Sequence, residues 1–142
     1  MADVFDVSAY ILKKAGPMTA MKLQKLVYYS QAWSLVWDES PLFDERIEAW
    51  ANGPVCPDLY FEHQGQFTVS REPKGDAKAL TKDERETVDA ILKHYGNKRA
   101  HWLSDLTHKE DPWRNARRGL PDGVRSNRVI SHASMAEFYG NL

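Results

Sequence analysis

Residues 20–37 read AMKLQKLVYYSQAWSLVW, and the way this stretch places its apolar side chains decides the fold. Leu23, Leu26, Val27, Ser30, Trp33, Ser34 and Trp37 recur at i, i+3, i+4, i+7 spacing and trace one face of a helix. Tyr28, Tyr29, Ala32, Leu35 and Val36 fill the other faces, and the only charges, Lys22 and Lys25, fall in the first two turns. A helix that is apolar nearly all round belongs inside a domain, with the rest of the chain wrapped about it. Thr19 is its expected N-cap. Trp33 and Trp37 are expected in the core on their helical phase.

Outward from this helix the chain divides into short elements. Residues 3–15 carry Val4, Val7, Tyr10 and Ile11 at helical spacing, and Gly16-Pro17 stops that helix. Residues 38–44 read as a loop. RIEAW (46–50) alternates Ile47 and Ala49 against Glu48 and Trp50, as a half-buried strand does. Pro57 opens a short helix, and QFTVS (66–70) alternates again and is expected to pair with the first strand. Thr81 and Glu84 form a capping box ahead of Val88, Ile91, Leu92 and Tyr95. Residues 98–109 make a further helix, Asp111-Pro112 reads as an N-cap followed by proline, and Ser134 with Glu137 reads as the capping box of the last helix. The expected fold is mainly α within the α+β class. It is a compact helical domain over residues 1–142 around a buried central helix, with a two- or three-stranded sheet at one edge.

Bulk properties narrow the function classes. A chain of 142 residues is one ordinary domain, and a formal net charge of −1 creates no global field toward nucleic acid or membrane. The charges are nevertheless uneven. Seven acidic residues face one basic residue between Asp38 and Glu62, while six basic residues face three acidic ones between Lys109 and Arg128. That asymmetry suits a surface meeting a partner of opposite charge. One cysteine excludes an internal disulfide. No apolar run approaches the roughly 20 residues of a membrane span, and no secretory leader is visible. A cytoplasmic protein without a membrane partner is expected.

Catalytic and metal chemistry find little support. A nucleophilic Cys56 would need a base or a helix N-terminus to lower its pKa, and no cysteine-enzyme signature surrounds it. His94, His101 and His108 fall at seven-residue intervals, which is not the spacing of a helical zinc site. THKEDPWRNAR (107–117) gathers Thr107, His108, Glu110, Trp113 and Arg117, and an acid–base pair is conceivable there. A structural corner is the preferred reading, because no nucleophile elbow or phosphate-binding glycine loop accompanies it. The expectation is therefore no enzyme, no catalytic residue, no metal and no cofactor. A helix-turn-helix regulator is the alternative, with Lys22, Gln24 and Lys25 offered to DNA bases. Nucleic acid is the less expected partner, because the rest of that helix is apolar on every side.

Three blocks, MTAMKLQKLVYYSQAWSLVW (18–37), EAWANGPVCPDLY (48–60) and WLSDLTHKEDPWRNAR (102–117), occur in this order. Together they resemble the signature of the SocA-like, phage-associated family, also called the Panacea antitoxin domain, to which GepA-type prophage proteins belong. The resemblance implies a mostly helical antitoxin of bacterial or prophage origin that neutralises a cognate toxin by direct contact. It implies a protease system as a second partner in some members, and no catalysis. The positions that match the pattern are Lys22, Leu23, Gln24, Lys25, Leu26, Tyr28, Trp50, Gly53, Pro54, Val55, Tyr60, His108, Trp113 and Arg117.

Within the middle block, Asn52-Gly53 permits a positive φ, and Pro54 and Pro57 stiffen the backbone beyond it. The prolines argue against a hairpin here, so the block reads as a rigid corner with Cys56 as filler. Trp, Tyr and Arg dominate protein-binding hot spots. Trp50, Pro54 and Tyr60 are therefore expected to form part of a partner-binding groove, with His108, Trp113 and Arg117 as its second wall.

Overall fold

The computed structural model describes all 142 residues. Helix α1 spans Val4–Ala15, strand β1 Met18–Thr19, and helix α2 Ala20–Trp37. Strands β2 (Glu48–Trp50) and β3 (Gly53–Val55), helix α3 (Pro57–Glu62) and strand β4 (Thr68–Val69) come next. Four helices complete the chain: α4 (Lys82–Tyr95), α5 (Ala100–His108), α6 (Asp111–Ala116) and α7 (His132–Gly140). The architecture is mainly α with small strand pairs at its edge, as the patterning predicts.

Helix α2 is the centre. Eleven of its eighteen residues are buried, and α1, α4, α5 and α7 all pack against it. The Thr19 hydroxyl accepts from Lys22 N at 3.1 Å and starts the helix where expected. One apolar cluster takes side chains from Ala2 through to Tyr139. The last turn of α2 runs out of this core. Trp33 is half-buried and stacks on Trp37 at 5.0 Å, but Trp37 itself is 50% exposed, against its expected place inside. Helical phase assigns a side chain to a face; it does not say where the surrounding elements end.

The strands differ most from expectation. Residues 66–70 do not join the strand at 46–50; β4 pairs instead with β1, with Met18 opposite Val69 and Thr19 opposite Thr68. The 48–55 segment is a hairpin after all, with Glu48 opposite Val55, Ala49 opposite Pro54 and Trp50 opposite Gly53. Pro54 is tolerated because its partner looks the other way. The Ala49 N–H donates to Arg128 O at 2.8 Å on the far edge of β2, so Ala49 and Pro54 form a non-hydrogen-bonded pair that asks nothing of the proline nitrogen. Gly53 closes the turn at φ +120°.

Two helix starts also shift. Glu110, not Asp111, is the N-cap of α6, which puts Asp111 first and Pro112 second in the helix. Helix α7 begins at His132, because the Ser131 hydroxyl accepts from Ser134 N at 3.1 Å and caps it a turn before the expected Ser134–Glu137 box. The capping box of α4, Thr81 with Glu84, forms as predicted. None of the helices is long and apolar enough to cross a membrane.

Buried amides on α2 secure the irregular segments. Gln31 Oε1 accepts from Leu42 N at 2.7 Å and Phe43 N at 3.3 Å, while its Nε2 donates to Phe43 O at 2.8 Å. Gln31→Leu leaves these backbone groups buried without partners, at about 1–3 kcal/mol for each orphaned group. Scanning calorimetry is expected to show an unfolding midpoint lower by at least about 6 °C, at about 2–4 °C per kcal/mol for a chain near this length. A fall of less than about 2 °C would mean that the 42–43 segment does not depend on this clamp.

Candidate functional site

A cleft of about 720 Å³ opens beside the β2–β3 hairpin. Its walls are the first turns of α2 (Ala20, Met21, Gln24, Lys25), the hairpin from Glu48 to Val55, Tyr60 with the turn His63–Gln66, and the loop Arg125–Asn127. Hydrogen bonds fix the α2 and hairpin walls. Gln24 Nε2 donates to Cys56 O at 3.1 Å and its Oε1 accepts from Cys56 N at 2.9 Å, which ties the exit of the hairpin to α2. Trp50 Nε1 donates to Glu48 Oε1 at 2.8 Å, and its ring meets Tyr60 edge-on at 4.8 Å. Tyr60 is 39% exposed, and Met21, Phe61 and Phe67 add further exposed apolar surface from elements that border the cleft.

The second and third sequence blocks do come together, though not as two walls. Trp113 Nε1 donates to Trp50 O at 2.8 Å and Arg117 Nη1 to Ala49 O at 3.0 Å. The other end of the Arg117 guanidinium donates to Pro121 O at 3.1 Å and Val124 O at 2.6 Å. Ser104 Oγ donates to Asn52 O at 2.6 Å. Trp113 and Arg117 are buried, so they hold the hairpin from beneath. His108 is half-buried, stacks on Trp113 at 4.1 Å, and burial pushes its imidazole pKa down. Pro54 is buried in the ladder. Of the six expected contact residues, Trp50 and Tyr60 line the cleft, together with the loop Arg125–Asn127.

The remaining pattern positions have local tasks. Leu23, Leu26 and Tyr28 are core residues, and Val55 is buried at the cleft. Lys22 Nζ donates to Gly96 O at 2.6 Å, where it serves the C-terminal end of α4. Gln24 and Lys25 are buried. The side chains that the helix-turn-helix alternative would offer to bases are therefore engaged or enclosed, and α2 presents no recognition face.

Lys25 is the exceptional residue. It is 1% exposed, yet it makes no hydrogen bond or ion pair within the chain, and burial lowers its pKa to about 8. In the sequence it stands among the pattern positions and as one of the three side chains that the helix-turn-helix alternative offers to bases. The usable signal was that a helix apolar on all sides leaves a lysine at position 25 no solvated face. The cleft residues at 63–66 and 125–127 carried no such signal, since they lie in turns of ordinary polar composition.

Cys56 and Glu110 are both buried. Burial pushes the Cys56 thiol up to about 11. Glu110 accepts from Tyr29 OH at 2.7 Å and Tyr139 OH at 2.8 Å inside the core, and burial raises its carboxyl pKa. No three His, Cys, Asp or Glu side chains come together as a metal-binding group.

This chain belongs to the SocA-like antitoxin family of the Panacea domain, whose model matches residues 23–114. That span holds α2, the hairpin and the buttress at 104–113. Among characterised relatives it is similar to Antitoxin SocA of Caulobacter vibrioides (strain NA1000 / CB15N). The two are 29% identical across 128 residues, an alignment covering 78% of this chain and 68% of that protein. No solved structure matches the chain.

Two outcomes are expected from this geometry. Alanine at Gly53 must adopt φ +120°, and its Cβ would meet Lys25 Cε at 2.7 Å. Gly53→Ala should lower stability by about 1–3 kcal/mol in urea titrations, because the left-handed backbone is strained. Lys25 sets a pH dependence. Its folded pKa of about 8 lies below the ordinary 10.5, so between these values the unfolded chain binds the extra proton and stability rises with pH. Glu48, His63 and Arg125 share the cleft with this ammonium, and His108 feels its charge. Subtracting the Lys25→Met profile from that of the unmodified chain isolates the Lys25 contribution. The expected difference is a rise of up to about 3 kcal/mol from pH 8 to 10.5, and a flat difference would refute the assignment.

Proposed function

We propose that this chain is an antitoxin that acts in the cytoplasm and silences a cognate protein toxin by direct binding. The cleft and its aromatic rim form the contact surface. Membership in the SocA-like antitoxin family carries this reading, and the Caulobacter relative is itself called an antitoxin. The site supports it in two ways. Trp50 and Tyr60 are held in fixed relation by bonds to Glu48, Trp113 and the hairpin, and rigid aromatic anchors bind at low entropic cost. Exposed apolar side chains clustered beside a polar cleft are the mark of a protein-binding surface.

Catalysis is not part of the proposal: Cys56 and Glu110 are buried, and His108 is half-buried against Trp113. A bacterial or prophage origin, and delivery of the toxin to a protease system, are finer features that the family resemblance suggests. The neighbouring gene supplies the test. Its product should arrest growth alone and permit growth when this chain is co-expressed. Trp50→Ala with Tyr60→Ala should weaken rescue and reduce affinity by at least about tenfold, while the melting temperature moves little. Growth arrest that persists with both intact genes present would overturn the antitoxin reading.

A further inference from the structure

The charge balance of the cleft defines the chemistry of what enters it. Glu48 is the only carboxylate in its walls, and both its oxygens are engaged, Oε2 by Arg46 Nε at 2.6 Å and Oε1 by Trp50 Nε1 at 2.8 Å. Two cations line the same space without an ion pair or side-chain hydrogen bond, the buried Lys25 and Arg125 of the loop Arg125–Asn127. The exposed Arg125 needs no explanation. The buried ammonium of Lys25 does, since an unpaired charge taken from water is strongly disfavoured. Its Nζ is not sealed in like His63 Nδ1 or Arg117 Nε, which are enclosed without partners. It opens on the cleft.

The hairpin is also shaped around this lysine. A Cβ at residue 53 would lie 2.7 Å from Lys25 Cε and 3.4 Å from its Nζ. The glycine thus serves the turn and leaves room for the ammonium. The Lys25 side chain fills that room, and no acceptor in the chain bonds its ammonium.

We infer that Lys25 is an anchor point for an acidic side chain, Asp or Glu, which the bound protein partner inserts between Trp50 and the Arg125 loop. The inference rests on the antitoxin reading and adds the chemistry of the contact. A protein segment suits the site better than a small acid, because the cleft continues into the exposed Met21 and Tyr60. An internal acidic side chain suits it better than a chain terminus. Terminal carboxylates are gripped by clustered backbone N–H groups, whereas the donor presented here is a single side-chain ammonium.

The test uses the full chain and the protein encoded beside its gene, with affinity measured by calorimetry and stability by thermal unfolding. Lack of binding by the unmodified chain overturns the antitoxin reading, and the inference with it. If the unmodified chain binds, Lys25→Met should bind at least tenfold more weakly, with a melting temperature equal to or above that of the parent. Replacing the partner's acidic residues one at a time by Asn or Gln should find one whose loss matches that of Lys25→Met and adds nothing to it in the double mutant. Equal binding by Lys25→Met overturns the inference and leaves the antitoxin reading standing. Loss of stability together with binding would make Lys25 a structural residue and also overturn it. If amidating the partner's C-terminus reproduces the loss, the assignment to an internal side chain falls.

Discussion

The carboxamide of Gln24 makes two hydrogen bonds to a single residue, the N–H and C=O of Cys56, and the rest of the site depends on that clamp. Every residue of α2 from Leu23 to Ala32 is buried. Whatever irregular backbone lies against it must find its hydrogen bonds there or leave polar groups orphaned. Gln24 provides them where the hairpin turns into α3, and Gln31 does so at Leu42 and Phe43. Both glutamines sit among apolar neighbours in the stretch that defines the fold, Gln24 facing the Cys56 junction and Gln31 the loop at 42–43. The polar residues of α2 thus determine where the non-helical parts of the chain can run.

The hairpin is gripped from two directions. Gln24 takes its exit from the α2 side, while Trp113, Arg117 and Ser104 take the carbonyls of Trp50, Ala49 and Asn52 from the α5–α6 side. Side chains that spend their donors on carbonyls leave the rings of Trp50 and Tyr60 free to face outward. The family signature is therefore read here largely as scaffolding. Most of its residues build and aim the surface, and few of them constitute it. Lys25 departs from this pattern, being buried at a cost to stability with no structural contact in return.

How much of this was legible in the sequence depends on the kind of force involved. Periodicity located α2 to the residue, because burial on all faces leaves a one-dimensional trace. Capping at Thr19 and Thr81 was equally local and equally readable. Failures came where a distant segment decided the outcome. Pro54 argued against a strand until Arg128, seventy-four positions on, took the Ala49 N–H and made the proline harmless. Thr68 and Val69 alternate well enough for either strand, and only the path of the chain around α2 assigns them to Met18 and Thr19. Asp111 looked a better cap than Glu110, since nothing nearby announced that two tyrosines from α2 and α7 would draw the Glu110 carboxyl inward. For the site, Trp50 and Tyr60 were legible as rigid aromatics beside a turn, whereas the roles of Trp113 and Arg117 were not. An exposed indole and a buttressing one look alike until their neighbours are known.

The tyrosine cluster has a mechanical corollary. Tyr139, near the far end of α7, bonds Glu110 and Tyr28 at the centre of the molecule and lies edge-on to Tyr29. If α7 frays, Glu110 loses one of its two donors in an apolar setting, and the start of α6 loosens with it. Because α6 carries the Trp113 bond to the hairpin, a disturbance at that helix reaches the aromatic rim through two links. Unravelling α7 would therefore disturb the Trp50 and Tyr60 edge of the cleft as well as the core.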